Sequence, residues 1–266
     1  MSQREIYYDS PTGRLVFTDH APDSSYWDNR WHSQLEDAAK APVPSGGSFI
    51  TNTTARHLPK GSKVLEGGCG NGMHSRHLHE AGYDVTSVDW APTTIEWLKA
   101  NIPQIKPVEA DLRALPFKTA SFDGFWSLGV IEHFYDGYEP LVMEMSRVIR
   151  PGGMLFLTFP YMSPLRTVAG RTGRFASWEE QGKRHEFHQF ALRHRVVIDD
   201  LANDFEVVSK TPMLGLSGME GMFDGFVDSL SQRAERKPAW GKIRAAVDRA
   251  ARPFASHMIL VVLRRR

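Results

Sequence analysis

Short apolar segments alternate with amphipathic segments through most of the chain. The apolar segments are rich in β-branched and aromatic residues, which is typical of buried strands. In chain order they are VL at 64–65, YDVTSVD at 83–89, IKPVEAD at 105–111, FDGFWSLGVI at 122–131, MLFLTFP at 154–160, FEVVSK at 205–210 and HMILVVLRR at 257–265. Strands that alternate with helices predict an α/β fold with a mostly parallel sheet.

Apolar residues at helical spacing predict the helices between and before these strands. They are SSYWDNRWHSQLEDAAK at 24–40 with Ser24 or Ser25 as N-cap, FITNTTARHL at 49–58, MHSRHLHEAG at 73–82, YEPLVMEMSRVIRPGG at 138–153, a helix from about 192 to 203, and SQRAERKPAWGKIRAAVDRAARPFA at 231–255. We expect the fourth of these to end at a glycine stop formed by Gly152 and Gly153.

Glycines are concentrated in VLEGGCGNG, residues 64–72, between a predicted strand and a predicted helix. Gly68, Gly70 and Gly72 occupy alternate positions after the acidic Glu66. Because glycine has no Cβ and tolerates positive φ, such a turn lets the backbone approach a ligand closely. The free N–H groups at the start of the following helix attract a carboxylate or a phosphate. We therefore expect a ligand to bind at this turn.

The spacing of the glycines distinguishes between two kinds of ligand site. The dinucleotide pattern GxGxxG would need a glycine at position 73, where the chain has Met73. An acid followed by alternate glycines resembles instead the first motif of the class I S-adenosylmethionine-dependent methyltransferases. The resemblance implies a Rossmann-like three-layer sandwich, with a seven-stranded sheet whose last strand is antiparallel. It implies S-adenosylmethionine as the cofactor, bound by Glu66, Gly67, Gly68, Cys69, Gly70 and Gly72.

Two aspartates end the next two predicted strands. Asp89 lies 17 residues after Gly72, and a right-handed βαβ unit would place it beside the glycine loop. A carboxylate there can accept hydrogen bonds from both ribose hydroxyls, or it can cap the helix that follows. The resemblance implies that Asp111 accepts a hydrogen bond from the adenine amino group and that the N–H of Leu112 donates to the ring. Trp90 is a candidate to stack on the adenine.

The segment FDGFWSLGVIEHF, 122–134, resembles the fourth strand and following loop of small-molecule methyltransferases. The resemblance implies that three residues lie near the methionine part of the cofactor: Ser127, Leu128 and Gly129. It also implies that His133 faces the transferred methyl group. The segment FHQF at 187–190 resembles an aromatic-Gln-aromatic segment of many relatives, which makes His188 a second candidate to bind substrate or take a proton. No metal ligand is predicted.

These signatures together predict a methyltransferase for a small-molecule or a lipid- or sugar-linked acceptor. A catalytically silent S-adenosylmethionine-binding module and an RNA or protein methyltransferase stay open as alternatives. A nucleic-acid base is disfavoured, because Ser127–Leu128–Gly129 replaces the Asn/Asp-Pro-Pro-aromatic motif and Cys69 is not preceded by proline. The sequence leaves open the acceptor, the methylated atom and the oligomeric state.

We predict an N-terminal helical cap or arm at 1–60 and the methyltransferase domain at 61–266, with specificity insertions at about 161–190 and 211–256. The helix predicted at 24–40 either packs on the core or, as in this family, closes the substrate pocket. From 231 to 266 there are ten Lys or Arg residues and two Asp or Glu residues. The basic helix at 231–255 either presents a solvated face or contacts an anionic membrane or a lipid-linked or phosphorylated substrate.

Composition adds few constraints. The 266 residues are 41% hydrophobic and 24% charged with a formal net charge of +1, which describes a globular protein with no overall attraction to nucleic acid. A single cysteine and the lack of a long apolar run lead us to expect a reducing, cytoplasmic location.

Overall fold

The computed structural model describes residues 5–19, 21–178, 184–217, 224–236 and 238–266. Parts of the predicted specificity insertions, at 179–183, 218–223 and 237, lie outside the described residues. The chain forms two compact units. Unit 1 comprises Met1–Ala21, Thr158–Asp199 and Ser209–Val261, and unit 2 comprises Pro22–Leu157, Asp200–Val208 and Val262–Arg266. The predicted division after residue 60 stays a prediction.

The helices and strands are numbered in chain order. The strands are β1 Glu5–Asp9, β2 Arg14–Thr18, β3 Lys63–Gly67, β4 Asp84–Asp89, β5 Pro107–Glu109, β6 Phe122–Leu128, β7 Ile149–Pro160, β8 Ala176–Ser177, β9 Phe187–Ala191, β10 Phe205–Met213 and β11 Met258–Arg265. The helices are α1 Ser24–His32, α2 Leu35–Lys40, α3 Phe49–Ala55, α4 Met73–Glu80, α5 Pro92–Asn101, α6 Glu139–Val148, α7 Pro164–Arg171, α8 His194–Leu201, α9 Asp224–Arg236 and α10 Pro238–Ala255.

The larger sheet has seven strands in the order β10-β11-β7-β6-β3-β4-β5. Strand β3 pairs in parallel with β4 and β6, and β4 pairs in parallel with β5. The sheet is mostly parallel and its last strands are antiparallel. The carboxyl ends of β3, β4 and β6 therefore meet at one edge, which is where ligands bind in open α/β sheets.

The centre of unit 2 is apolar because β6 is covered on both faces. Trp126 is fully buried and stacks on Phe156 with 4.5 Å between ring centroids. The indole N–H of Trp126 donates to the Thr54 hydroxyl of α3 at 2.9 Å, so that its buried polar atom is satisfied. This packing fixes the position of the carboxyl end of β6, which carries Leu128.

Unit 1 contains a second sheet, with strand order β8-β1-β2-β9. Strands β1 and β2 form an antiparallel hairpin, and β2 also pairs with β9. Leu15, Phe17, Met162 and Ala191 form the apolar cluster of this sheet. The sequence predicts a short strand or extended arm at the start of the chain, but the partner strand is too distant along the chain to be read from local pattern.

The predicted helix at 24–40 is wrong in two respects. Residues 33 and 34 separate α1 from α2, and the N-cap of α1 is Asp23 rather than Ser24 or Ser25. The Asp23 carboxylate accepts from the N–H of Tyr26 at 2.8 Å. A carboxylate at this position also interacts favourably with the helix dipole, which explains why it replaces the neighbouring hydroxyls.

The predicted glycine stop after α6 is also wrong. Helix α6 ends at Val148, and residues 149–153 already belong to β7. A residue before proline is disfavoured in the helical region, and Pro151 therefore favours an extended Arg150. Gly153 has a packing role, because a Cβ there would lie 2.8 Å from the carbonyl oxygen of Asp123.

The basic helix predicted at 231–255 is two helices, α9 and α10, on either side of residue 237. Proline lacks an N–H and is favoured at the first position of a helix, so Pro238 begins α10 instead of continuing α9. Within the described part of the chain, no helix has both the length and the apolar character needed to cross a membrane.

Candidate functional site

A cavity of about 720 Å³ lies in unit 2 at the carboxyl ends of β3, β4 and β6. Most of the predicted site residues line it: Glu66, Gly68, Cys69, Gly70, Asp89, Trp90, Asp111, Leu112, Leu128, Gly129 and His133. Among the described residues, Gly67, Gly72 and Ser127 do not line this cavity, and His188 belongs to unit 1. The roles of all these residues stay predictions, but the structure brings most of them to one place.

The glycine loop has the backbone conformation that its sequence predicts. Gly68, Gly70 and Gly72 all have positive φ, between +49° and +75°. A Cβ on Gly68 would lie 2.6 Å from Val130, and one on Gly70 would lie 2.7 Å from the indole ring of Trp31. Any larger residue at Gly70 would therefore strain the backbone and fill the space between loop and indole.

Gly67 and Gly72 have a different reason to be glycine. A Cβ on Gly67 would lie 2.7 Å from the ring of Phe125, and one on Gly72 would lie 2.8 Å from Leu98. Both contacts are with buried side chains of the core. These two glycines allow the loop to pack on the sheet and on α5, which places Gly68 and Gly70 at the cavity.

Asp89, the last residue of β4, connects this strand to the glycine loop through hydrogen bonds. Its carboxylate accepts hydrogen bonds from the N–H of Gly70 at 2.9 Å and from the N–H of Ala91 at 3.1 Å. Burial raises the pKa of Asp89, and the backbone N–H groups of Gly70, Ala91 and Trp90 oppose this shift. Each carboxylate oxygen has a second lone pair, so Asp89 can hold the loop and still accept from a ligand hydroxyl.

Glu66 is buried at the end of β3 and accepts a hydrogen bond from the hydroxyl of Ser75. The Ser75 oxygen in turn accepts from the hydroxyl of Ser87 at 2.6 Å. Burial raises the pKa of Glu66 to about 8, and the charge of Asp89 adds to this shift. Two neighbouring carboxyl groups with raised pKa values make the site favourable for a cation, because a positive charge would stabilise both ionised forms.

Helix α1 contributes aromatic side chains to the same cavity. Trp27 and Trp31 both line it, and their rings stack with 5.7 Å between centroids. The edge of Trp27 also meets the imidazole of His133, with 5.0 Å between centroids. In α2's N-terminal turn, Gln34 accepts a hydrogen bond from the side-chain amide of Asn71 in the glycine loop at 3.4 Å.

Asp111 has a partner that the sequence analysis did not name. The guanidinium Nε of Arg113 lies 3.0 Å from both of its carboxylate oxygens. Because of these hydrogen bonds, Arg113 lowers the pKa of Asp111. Both residues line the cavity, so a charged pair lies where the resemblance implies adenine recognition. The sequence signal that could have predicted this pair is the arginine two residues after the aspartate.

His74 is a second cavity residue that sequence reasoning missed. It lies in the first turn of α4, and its buried Nδ1 has no hydrogen-bond partner within the described residues. Burial lowers the pKa of His74 to about 4, so the ring is neutral at pH 7. Its position directly after the glycine loop was the only sequence signal, and the presence of three histidines within 73–80 makes such a signal ambiguous.

The two predicted catalytic histidines have different surroundings. His133 lies in a single 3₁₀ turn after β6, beside Trp27 at the cavity. His188 lies in β9 of unit 1 and is 5% exposed. Ser127 is fully buried in β6, with no hydrogen-bond partner for its hydroxyl within the described residues.

The chemistry of this lining fits S-adenosylmethionine. Glu66 and Asp89 offer carboxylates to a cationic ligand that carries hydroxyl groups, and the glycine loop offers exposed backbone. Trp90 and Leu112 supply flat and apolar surface suited to an adenine ring. The comparison with known families points to the same ligand, since residues 65–157 match the family described as "Methyltransferase domain".

Residues 65–157 thus carry a class I S-adenosylmethionine-dependent methyltransferase domain. The matched range begins in β3 and ends in β7, and therefore contains the glycine loop and both aspartates. The predicted family and its cofactor, S-adenosylmethionine, are confirmed.

Curated relatives resemble part of the chain. A malonyl-[acyl-carrier protein] O-methyltransferase from Enterobacter lignolyticus is 33% identical over 114 residues, which cover 43% of this chain and 44% of the relative. A 27-O-demethylrifamycin SV methyltransferase from Amycolatopsis mediterranei is 30% identical over 158 residues, covering 54% and 58%. The chain thus spans about half the length of the curated relatives that it matches.

Solved structures share the fold over nearly the whole chain. The 1,6-didemethyltoxoflavin-N1-methyltransferase from Burkholderia thailandensis, solved with S-adenosylhomocysteine, has a TM-score of 0.53 at 16% identity and covers 98% of this chain and 99% of its own. The [4+2]-cyclase SpnF has a TM-score of 0.57 at 16% identity and covers 98% of both chains. At these identities the likeness concerns the fold alone. The predicted Rossmann-like α/β class is confirmed.

Proposed function

We propose that this protein transfers the methyl group of S-adenosylmethionine to a small-molecule acceptor. The observation that supports it most is the cavity of unit 2, where Glu66, Asp89 and Asp111 line the same space as the glycine loop. When bound, S-adenosylmethionine supplies a methyl carbon that its sulfonium has made electrophilic. The protein then has to position the acceptor, exclude water and, where needed, accept a proton.

Each part of the cavity has a task in this proposal. Asp89 holds the ribose hydroxyls, and Asp111 with the N–H of Leu112 holds the adenine. Leu128 and Gly129 lie beside the methionine part, at the end of β6. The backbone of Gly68 and Gly70 approaches the ligand where no side chain would fit.

The proposed acceptor lies on the side of the cavity where His133 meets Trp27. The indole rings of Trp27 and Trp31 exclude water from this region. His133 accepts a proton if the acceptor is a hydroxyl, since imidazole is the side chain best suited to that task near neutral pH. His188 lies in unit 1 and does not line this cavity, so its role stays a prediction from the sequence.

The names of the relatives support a small-molecule acceptor, and a lipid- or sugar-linked acceptor stays a prediction from the sequence. The Enterobacter lignolyticus relative is an O-methyltransferase for a malonyl group on a carrier protein, and the Amycolatopsis mediterranei relative acts on a rifamycin. Both names are consistent with an oxygen acceptor here. We place the reaction in the cytoplasm, because Cys69, the single cysteine, gives the chain no internal disulfide.

A second candidate function is S-adenosylmethionine binding without methyl transfer. It is favoured by the occurrence of this fold in a protein named as a [4+2]-cyclase. The two functions are separated by incubating the protein with S-adenosylmethionine labelled on the methyl group, together with an extract of the source cells. A labelled product supports methyl transfer, whereas tight calorimetric binding with no labelled product supports the silent module. Absence of binding would overturn both.

We also propose a contact between α10 and an anionic membrane. Ile243 and Phe254 are 45% and 65% exposed, and Lys242 and Arg249 are exposed on the same helix. Apolar and basic residues side by side suit the interface of a bilayer with anionic headgroups. Co-sedimentation with phosphatidylserine vesicles tests the contact, with phosphatidylcholine vesicles as the control. Binding to anionic vesicles should weaken in an Ile243→Ser/Phe254→Ser variant, and absence of binding would remove the proposal.

A further inference from the structure

Unit 1 contains a cavity of about 940 Å³ that no step of the proposed methyl transfer uses. It is formed by the β1–β2 turn, α7, β8 and the start of α8. Its volume lies in the upper part of the range of pockets that hold small organic ligands, roughly 300–1,000 Å³. We call it the basic cavity, after Arg171, Arg193 and Arg195, which line it together with His194.

The charge of the basic cavity has one sign. Among its described lining residues there are three arginines and no aspartate or glutamate. Within the described part of the chain, none of these three arginines forms a salt bridge, although other arginines such as Arg14 do. Asp9, the acid of the β1–β2 turn, already accepts from Arg14 at 3.1 Å and from Thr12 at 2.6 Å. The positive charge of the cavity therefore has no internal counter-ion there.

The start of α8 increases the positive potential. His194 and Arg195 occupy its first turn, and this turn contains no acidic residue. The N-terminus of a helix carries a partial positive charge, so cationic side chains are unfavourable at this position. Burial, followed by the charges of Lys210 and Arg195, lowers the pKa of His194. A cluster that opposes its own helix dipole is more stable when an anion is bound.

Apolar and aromatic side chains form part of the remaining wall of the basic cavity, beside the hydroxyl groups of Ser10, Thr167 and Ser177. Tyr8, Met162, Val168 and Phe175 line it, and the ring of Tyr161 packs edge-on against His194 with 5.6 Å between centroids. Arg193 lies close to the turn, since a Cβ on Gly13 would be 3.4 Å from its Cδ. Apolar walls beside a group of guanidinium ions suit a ligand with an apolar body and an anionic end.

We infer that the basic cavity of unit 1 binds a small organic anion, with a carboxylate or phosphate held by Arg171, Arg193 and Arg195 and an apolar or aromatic body against Tyr8 and Phe175. This inference goes beyond the proposed methyl transfer, because the site lies in the other unit and its ligand needs no methyl group. Planar guanidinium groups bind carboxylate and phosphate through paired hydrogen bonds, which gives the site its preference for these anions.

The test is calorimetric titration of the full chain with phenyl phosphate, phenylacetate and phenol, without S-adenosylmethionine. Phenyl phosphate and phenylacetate distinguish the two anionic groups, and phenol retains the ring without the charge. We expect at least one anion to bind at least tenfold more tightly than phenol. An Arg193→Gln/Arg195→Gln double variant should weaken this binding at least tenfold. A charge-matched Arg56→Gln/Lys99→Gln variant, at exposed positions of unit 2, should leave it unchanged.

Three results would overturn the inference. The wild type could show no saturable binding of either anion, or it could bind phenol as tightly as the anions. The two double variants could also lose equal amounts of affinity for the anion. The arginines are exposed, so the variants are expected to fold, and circular dichroism checks this. An Arg193→Lys variant retains the charge without the planar fork, and it should recover part of the affinity. Because no S-adenosylmethionine is present, these results are independent of the proposed methyl transfer.

Discussion

Asp28 of α1 caps the N-terminus of α5 by accepting two hydrogen bonds from Thr94, one from its N–H at 2.8 Å and one from its hydroxyl at 2.9 Å. The residue at the N-cap position of α5 is Ala91, which has no side chain able to do this. The capping carboxylate thus comes from a helix 66 positions earlier in the chain. This bond fastens the helix that carries Trp27 and Trp31 to the helix that follows Asp89.

Replacing Asp28 should loosen that attachment. We expect Asp28→Ala to weaken S-adenosylmethionine binding about five- to tenfold, because a lost capping interaction costs about 1 kcal/mol and α1 would cover the cavity less often. The measurement is calorimetric titration with S-adenosylmethionine. Asp37→Ala removes the same charge from an exposed position on α2 and should not change the affinity. Equal affinities in the two variants would contradict the role of Asp28.

Substitutions of Gly70 and Gly61 should distinguish the effect of backbone strain on stability from the effect of a filled ligand site on S-adenosylmethionine affinity. Gly70→Ala places a Cβ 2.7 Å from Trp31 at a φ of +49°. We expect at least a tenfold loss of S-adenosylmethionine affinity and a loss of stability of about 1–2 kcal/mol. Gly61→Ala is a matched control, because Gly61 has a φ of +82° and a Cβ there would meet no other atom within 4 Å. It should cost similar stability in a denaturant titration and leave the affinity intact.

Glu66 should make the protein less stable as the pH rises. Burial raises its pKa from the ordinary value of 4.5 to about 8, so between these values the folded state binds more protons than the unfolded state. The free energy of unfolding therefore contains a Glu66 contribution that is complete below pH 4.5 and falls by up to about 1.4 kcal/mol per pH unit until about pH 8. In Glu66→Gln this fall should be absent.

The measurement is urea unfolding of wild type and Glu66→Gln from pH 5 to pH 9. The stability of the variant relative to wild type should increase with pH. Glu132→Gln should behave alike, because burial raises the pKa of Glu132 to about 8 as well. Glu144→Gln is the control and should show no pH-dependent difference over this range, since hydrogen bonding to Arg147 lowers the pKa of Glu144 below its ordinary value of 4.5. A pH-independent difference between wild type and Glu66→Gln would show that the carboxyl is ionised in the folded protein.

His133→Ala tests the chemical role of the imidazole. We expect turnover to fall by about a hundredfold, the lower end of what a positioned acid or base contributes, with less than a threefold change in S-adenosylmethionine affinity. The assay measures the labelled product formed from methyl-labelled S-adenosylmethionine in the source-cell extract, under conditions in which the wild type forms such a product. His32→Ala on the exposed side of α1 is the control. Similar losses of affinity and turnover in His133→Ala would indicate a role in binding alone.

The parts of the cavity that local pattern could predict are those made of consecutive residues. The glycine loop, Asp89 and the apolar strand β6 each have a signature within a short segment, and the parallel arrangement of their strands then places them at one edge. The fold class followed from the same alternation of strands and helices.

Residues that act through distant partners were not predictable in this way. Asp28 caps a helix 66 positions away, and Arg113 changes the surroundings of Asp111 by folding back on it. Helix boundaries were missed where a single residue decided them, as with Asp23 at the start of α1 and Pro151 after α6. Such choices depend on small differences in free energy that tertiary contacts easily outweigh.

The hairpin of β1 and β2 has a consequence for how the polypeptide matures on the ribosome. Residues 15–18 pair with residues 187–191, so this sheet cannot close until most of the chain has been synthesised. Strands β3, β4, β5 and β6 have all their neighbours in the larger sheet within residues 63–160 and can pair first. Until β9 has been synthesised, the edge of β2 that later pairs with it is unpaired. A chaperone that shields this edge would therefore raise the yield of correctly folded protein.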